Sequence, residues 1–198
     1  MAADPAAWKL NGVTGDPAEV ELDTQPFATG LVQIYTGNGK GKTTAALGLA
    51  LRASGHGLRV YFAQFMKGLP YGELSALSRL PSVTIVQFGA RRWTHPEEVT
   101  AEDRAMARAG LRSASEALHS GAYDLVVLDE INVAAAWGLL SVDQVSALIL
   151  TKPEKVELIL TGRYVPEPIL LLADLVTEMS EIRHPFNSGT TSRRGIEF

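Results

Sequence analysis

The chain has 198 residues, 46% of them apolar and 20% charged, no cysteine, and a formal net charge of −4. That length holds one domain or one domain plus a tail, and the apolar fraction excludes a wholly disordered chain. The missing cysteines exclude a disulfide scaffold, thiolate metal sites, iron–sulfur ligation and a cysteine nucleophile, while the acidic balance argues against nucleic acid as a partner.

Residues 1–28 are rich in Ala, Asp, Pro and Gly, with Trp8 and Leu10 as isolated apolar points. They read as an N-terminal arm, and residues 29–198 as the domain. Asp4 and Asp16, without a sustained apolar core, do not read as a secretory signal, and no apolar run reaches the roughly 18 residues of a membrane span. A cytoplasmic location is the expectation. From Leu31 the pattern predicts strand Leu31–Thr36, helix Thr43–Ser54, and strands Leu58–Phe65 and Val83–Phe88. Helix Ala101–Ser120, strand Asp124–Asp129, helix Val142–Leu150, strand Val156–Thr161, helix Glu167–Ala173 and the short strand Leu175–Thr177 complete it. Most strands are apolar at successive positions, as in strands covered on both faces. The alternation predicts an α/β fold: one mostly parallel sheet with helices on both faces, in a single domain. In such sheets chemistry sits at the carboxyl ends of the strands.

The segment Thr36-Gly37-Asn38-Gly39-Lys40-Gly41-Lys42-Thr43-Thr44 follows a predicted strand and opens a predicted helix. That is the context of a phosphate-binding P-loop, in which glycines let successive N–H groups point at phosphate oxygens and the helix N-terminus adds partial positive charge. Lys42 can reach a terminal phosphate and the Thr43 hydroxyl can ligate magnesium. Thr36 departs from the strict pattern, which has glycine there. The alternative is a Gly-rich turn with a solvated lysine. The segment Tyr123 to Glu130 is an apolar strand ending in two acids; Asp129 or Glu130 would hold magnesium, or an acid there would cap the following helix. Arg163, after Thr161-Gly162, faces the same rim as the P-loop, where its fork suits phosphate oxygens or a surface salt bridge. Arg52 reads as structural.

Together these residues resemble the ATP:corrinoid adenosyltransferases of the CobA/CobO/BtuR type. The resemblance rests on Tyr35 to Ala46, Gln64-Phe65-Met66-Lys67-Gly68 with Gly72-Glu73, and Val126 to Glu130. Thr161-Gly162-Arg163, Ala173 to Met179, His184-Pro185-Phe186 and Gly195 to Phe198 follow in order. It spans about residue 30 to the end and implies a RecA-like P-loop fold. It further implies transfer of the 5′-deoxyadenosyl group of ATP to a reduced corrinoid, releasing triphosphate, in a homodimer served by an electron donor. Lys42, Thr43 and Glu130 are then the candidate catalytic residues. Gly37 to Thr44 with Arg52 and Arg163 are the candidate ATP contacts, and Thr43, Asp129 and Glu130 the candidate Mg²⁺ ligands. The loop Phe88 to Thr94 aligns with a loop whose aromatics press on the corrin, so Trp93 is a candidate corrinoid contact. Arg91 stands where a second aromatic is expected. In some members an N-terminal segment closes over the neighbouring subunit's site, a role open to residues 1–28.

Other residues carry plainer expectations. His56, His95, His119 and His184 lack metal-ligand spacing. Gln64 and Lys67 end a strand at the active rim, where a loop lysine is usually solvated; Glu73 is a site acid or a helix-start residue. Arg193 and Arg194 form a basic tail patch. Two other functions fit parts of the sequence: a P-loop switch or partition-type module that hydrolyses ATP, and a corrinoid carrier without catalysis.

Overall fold

Period-two alternation along the strands decides which helix covers which face of the sheet. The computed structural model describes residues 28–92 and 95–197. In β2 (Val60–Phe65), Val60 and Phe62 pack in one apolar cluster and Tyr61, Ala63 and Phe65 in another. β4 (Leu125–Asp129) and β5 (Glu157–Thr161) divide alike: Leu125, Val127 and Ile159 join the first cluster, Val126, Leu128, Leu158 and Leu160 the second. The first is covered by α1 (Lys42–Gly55), whose buried face is Ala46, Ala50 and Ala53; small side chains at this spacing let the helix lie close on the strands. The second is covered by α3 (Ala101–His119), α4 (Ile131–Ala136), α5 (Val142–Leu150) and α6 (Glu167–Leu170). The result is the expected three-layer α/β architecture. Among the described residues six strands form one sheet, all parallel, in the order β3-β2-β4-β5-β1-β6, with β1 at Val32–Thr36, β3 at Val83–Phe88 and β6 at Leu175–Glu178.

Three differences from the sequence reading have local causes. Two six-residue helices, α2 (Gly72–Leu77) and α4, were given no range by the sequence reading; each is under two turns, too short for an apolar period to emerge. The helix expected over 167–173 stops at Leu170. Beyond it Asp174 accepts from Val32 N at 2.8 Å and donates its own N–H to Val32 O at 2.9 Å, drawing the chain into β6. β6 is an edge strand with all four residues exposed, Leu175 and Val176 among them, so it is not covered on both faces. Expected boundaries elsewhere agree within two residues. The expected arm lies, but for Ala28, outside the described residues.

Candidate active site

The strand register builds a polar row at the carboxyl edge of the sheet. Gln87 pairs with Gln64 across β3 and β2, Gln64 with Asp129 across β2 and β4, and Thr161 follows on β5. Gln64, Asp129 and Thr161 fall two residues beyond Phe62, Val127 and Ile159, and therefore face α1. The row is hydrogen-bonded throughout. Gln87 Nε2 donates to Gln64 Oε1 at 3.0 Å and to Leu69 O at 3.1 Å. Gln64 Nε2 donates to Asp129 Oδ2 at 3.3 Å and Glu73 Oε1 at 3.0 Å, and Thr161 Oγ1 to Asp129 Oδ1 at 2.7 Å. Asp129 has no exposed surface, and a carboxylate so buried needs these donors.

The P-loop arrives from β1. Gly37 (φ +91°) and Gly41 (φ +121°) hold conformations that side-chain-bearing residues rarely adopt. Gly39 is required for another reason: a Cβ there would lie 2.6 Å from Met179 O and 2.8 Å from Ser180 O. Met179 is also where the Ala173–Met179 segment meets the loop, its N–H donating to Thr36 O at 2.9 Å and its carbonyl accepting from Gly39 N at 2.6 Å. The Gly39 N–H is thus committed to the fold. The N–H groups of the first turn of α1 have no intrahelical partner and remain open to an anion. Lys42 curls back, donating from Nζ to Gly37 O at 2.7 Å and Gly39 O at 2.6 Å. Burial, then the nearby Arg163 charge, lowers its pKa below the usual lysine range. Thr43 Oγ1 donates to Asp129 Oδ1 at 2.8 Å, joining loop and row.

Above this junction lies a cavity of about 870 Å³, lined by Gly39, Lys40, Gly41, Lys42, Thr43, Thr44, Lys67, Glu73, Glu130 and Arg163, with Arg92, His95, Trp137, His184 and Gly195 to Glu197 on other sides. Met66, Glu130 and Tyr164, at the ends of β2, β4 and β5, have φ of 58°, 63° and 58° and all line it. Such backbone in non-glycine residues gathers at functional sites. Glu130 is held there by its N–H to Thr161 Oγ1 at 3.0 Å. Burial, then the Asp129 charge, raises its pKa against the pull of Lys67, Lys42 and Arg163.

Gly39 to Thr44, Asp129, Glu130 and Arg163 therefore converge, as the sequence reading expected of one rim. Gly37 and Asn38 do not line the cavity. Neither does Arg52, exposed near the far end of α1, ten residues beyond Lys42 or about 15 Å along the axis. Arg91 is exposed outside the cavity, whereas Arg92 lines it, with Nη2 2.6 Å from Asp103 Oδ2. Trp93 lies outside the described residues. Lys67 is no solvated loop lysine: its side chain is 18% exposed, and Nζ lies 2.6 Å from Asp129 Oδ2 and 3.3 Å from Thr43 Oγ1. Burial opposes its charge, but Asp129, Glu130 and Glu73 outweigh that and raise its pKa. Glu73 fills both readings, standing in the first turn of α2 and lining the cavity. Arg193 pairs with Glu197 in the tail. Gln87 and Trp137 were missed, and Thr161 and Arg92 stood within quoted segments without a role of their own; strand-end polarity pointed to Gln87 and Thr161, but only the register joins them.

Fold and loop define a P-loop α/β protein. The sequence matches the profile of the family described as ATP:corrinoid adenosyltransferase BtuR/CobO/CobP over residues 28–198, and the chain belongs to that family. It is 36% identical over 170 residues to the corrinoid adenosyltransferases of Pseudomonas aeruginosa and of Escherichia coli K12, covering 85% of this chain and 84% and 86% of theirs. It is also 41% identical over 189 residues to an uncharacterized protein of Nostoc sp. PCC 7120, covering 88% of this chain and 49% of that one; the chain spans about half the length of that relative.

Proposed function

We propose that this chain transfers the 5′-deoxyadenosyl group of ATP to the cobalt of a reduced corrinoid. Cobalt(I) supplies the electron pair of the new Co–C5′ bond, the C5′–O5′ bond breaks, and its electrons leave with the triphosphate. Cobalt rises to the +3 level, so a separate reductant must deliver it as cobalt(I) beforehand. The cofactor-like substrate carries the hard chemistry; the protein orients the reactants and stabilises the leaving group. The observation that carries this reading is that the family's P-loop, paired-acid and Thr161-Gly162-Arg163 segments meet at one cavity. On it, the N–H groups of the first turn of α1 with Lys42 and Arg163 hold the triphosphate as it gains charge. Lys42 must then exchange its two loop carbonyls for phosphate oxygens.

The residues fit magnesium. Thr43 and Asp129 offer hard oxygens at hydrogen-bond distance from each other, and Glu130 stands beside them. Among the described residues no three Asp, Glu or His side chains form a metal cluster, so phosphate oxygens would complete the shell, as is usual for this ion. Bound, it would supply charge neutralisation at the triphosphate.

On the corrinoid side the cavity supports Arg92 and His95, which flank residues 93 and 94, as contacts; Trp93 and Arg91 stay in the proposal, Arg91 from its exposed place outside the cavity. A homodimer, a closing role for residues 1–28 and a cytoplasmic location remain part of the proposal; no described helix is long and apolar enough to cross a membrane. The test is anaerobic incubation with ATP and chemically reduced cobalamin. A cobalt–carbon absorption spectrum with stoichiometric triphosphate is expected. ADP and phosphate alone would favour an ATP-hydrolysing module, and cobalamin binding without turnover a carrier.

A further inference from the structure

Asp129 is saturated. A carboxylate offers about four acceptor positions, and here Oδ1 accepts from Thr43 and Thr161 while Oδ2 accepts from Gln64 and Lys67. A cation can reach this carboxylate only if one donor leaves. Thr161 is buried in the sheet, Gln64 is fixed by Gln87 behind it and Glu73 beside it, and Thr43 must stay because its hydroxyl is itself assigned to the ion. Lys67 differs: it carries a charge, sits on a flexible stem between the left-handed Met66 and Gly68, and lines the open cavity beside the Tyr71 ring. Its Nζ bridges Asp129 Oδ2 and Thr43 Oγ1, the two groups assigned above to a divalent ion.

We propose that Lys67 is a positioning residue that serves as the internal cation of this site: its ammonium holds Thr43 and Asp129 in ligating geometry without nucleotide, and withdraws into the cavity when a divalent ion and triphosphate arrive. This rests on the reading of Thr43 and Asp129 as metal ligands. Two cations cannot share one buried carboxylate oxygen without strong repulsion, so Lys67 sets a threshold against metal alone. The threshold falls when phosphates are present to receive the withdrawn ammonium, which makes loading of metal and nucleotide concerted.

The probe is Mn²⁺ alone, titrated into nucleotide-free protein and followed by the electron paramagnetic resonance of the free ion. Lys67→Met is expected to bind Mn²⁺ at least about tenfold more tightly than wild type, by removal of the competing charge. Lys67→Gln, which keeps a neutral donor toward Asp129 and guards against misfolding of the first variant, is expected to show the same sign; Lys67→Arg is expected to match wild type. Mn²⁺ should also raise the melting temperature of Lys67→Met more than that of wild type. Unchanged or weaker Mn²⁺ binding in the folded neutral variants overturns the proposal. Tight binding that survives Asp129→Asn in the Lys67→Met background overturns the ligand assignment and the proposal with it. Neither ATP nor corrinoid is in the cell, so either failure leaves the adenosyl-transfer reading to its own assay.

Discussion

Glu130 combines a left-handed backbone, a place in the cavity wall and a raised pKa, caused first by burial and then by Asp129 beside it. The sign follows from linkage. The ordinary glutamate value is 4.5 and the folded one is higher, so well below that pH both states are protonated and ionisation imposes no cost. As pH rises through the folded pKa the folded state must carry an unwelcome charge, and stability falls. Glu130→Gln removes the charge without changing the shape. It is expected to raise the melting temperature of the ligand-free protein at pH 8, with the gain shrinking to nothing toward pH 4. A pH series of melts checks this; equal gain at both ends would mean that the carboxyl is not responsible. The same residue shows what a sequence withholds. The paired acids at the end of an apolar strand were legible as a strand-end site, but not their division of labour. Strand register and the αL turn bury Asp129 in the polar row and turn Glu130 into the cavity. Lys67 is sharper still, since its partner lies 62 positions along the chain and nothing local marks it as paired.

At the scale of elements, helix α3 tests packing against propensity. It begins with a capping box in which Thr100 and Asp103 exchange hydrogen bonds, and Arg92 locks onto Asp103. In its middle stands Gly110, buried, where glycine costs about 1 kcal/mol relative to alanine in a helix. Propensity alone therefore has Gly110→Ala stabilising. The added Cβ would lie 2.8 Å from Phe65 Cε1 and 2.9 Å from Phe88 Cγ, in rings packed between helix and sheet. Overpacking of that kind costs about 1–3 kcal/mol, so the variant is expected to be destabilised on balance, read as a lower urea midpoint with unchanged slope. A higher midpoint would show that the rings yield. Long elements such as α3 and the apolar β2, β4 and β5 were legible because their periods repeat. The six-residue α2 and α4 were not, because they are placed by contacts with the strand ends, and that information is tertiary. The loop after β3 was legible as part of the site, yet its side-chain directions were not: of two adjacent arginines, Arg92 faces the cavity because Asp103 draws it inward.

Across the whole molecule, the chain closes its own site with its far end. Lys40 on the P-loop donates to Glu197 Oε1 at 2.9 Å and to Ile196 O at 3.2 Å, linking positions more than 150 residues apart across the cavity mouth. Arg193 adds three more bonds to Glu197, from its backbone N–H at 2.7 Å, Nε at 3.3 Å and Nη2 at 3.0 Å, and the bonds from Arg193 and Lys40 hold the Glu197 pKa at about 2. A depressed carboxyl pKa means the tie is intact above the ordinary glutamate range and is lost only as pH falls toward 2, so between pH 5 and 8 it is constant. The tie lies in solvent, where screening leaves ion pairs weak, so it can open at little cost, and its more telling effect is competition: Glu197 offers Lys40 a carboxylate where the reaction would offer a triphosphate. Glu197→Gln frees the lysine. ATP is then expected to bind about two- to fivefold more tightly at low ionic strength, the difference fading near 1 M salt, where screening acts within about 3 Å. Titration calorimetry at two salt concentrations, repeated at pH 5 and pH 8, reads both signatures. Weaker ATP binding at every salt concentration would instead make the closing segment a support for the nucleotide, and Glu197 its anchor rather than its rival.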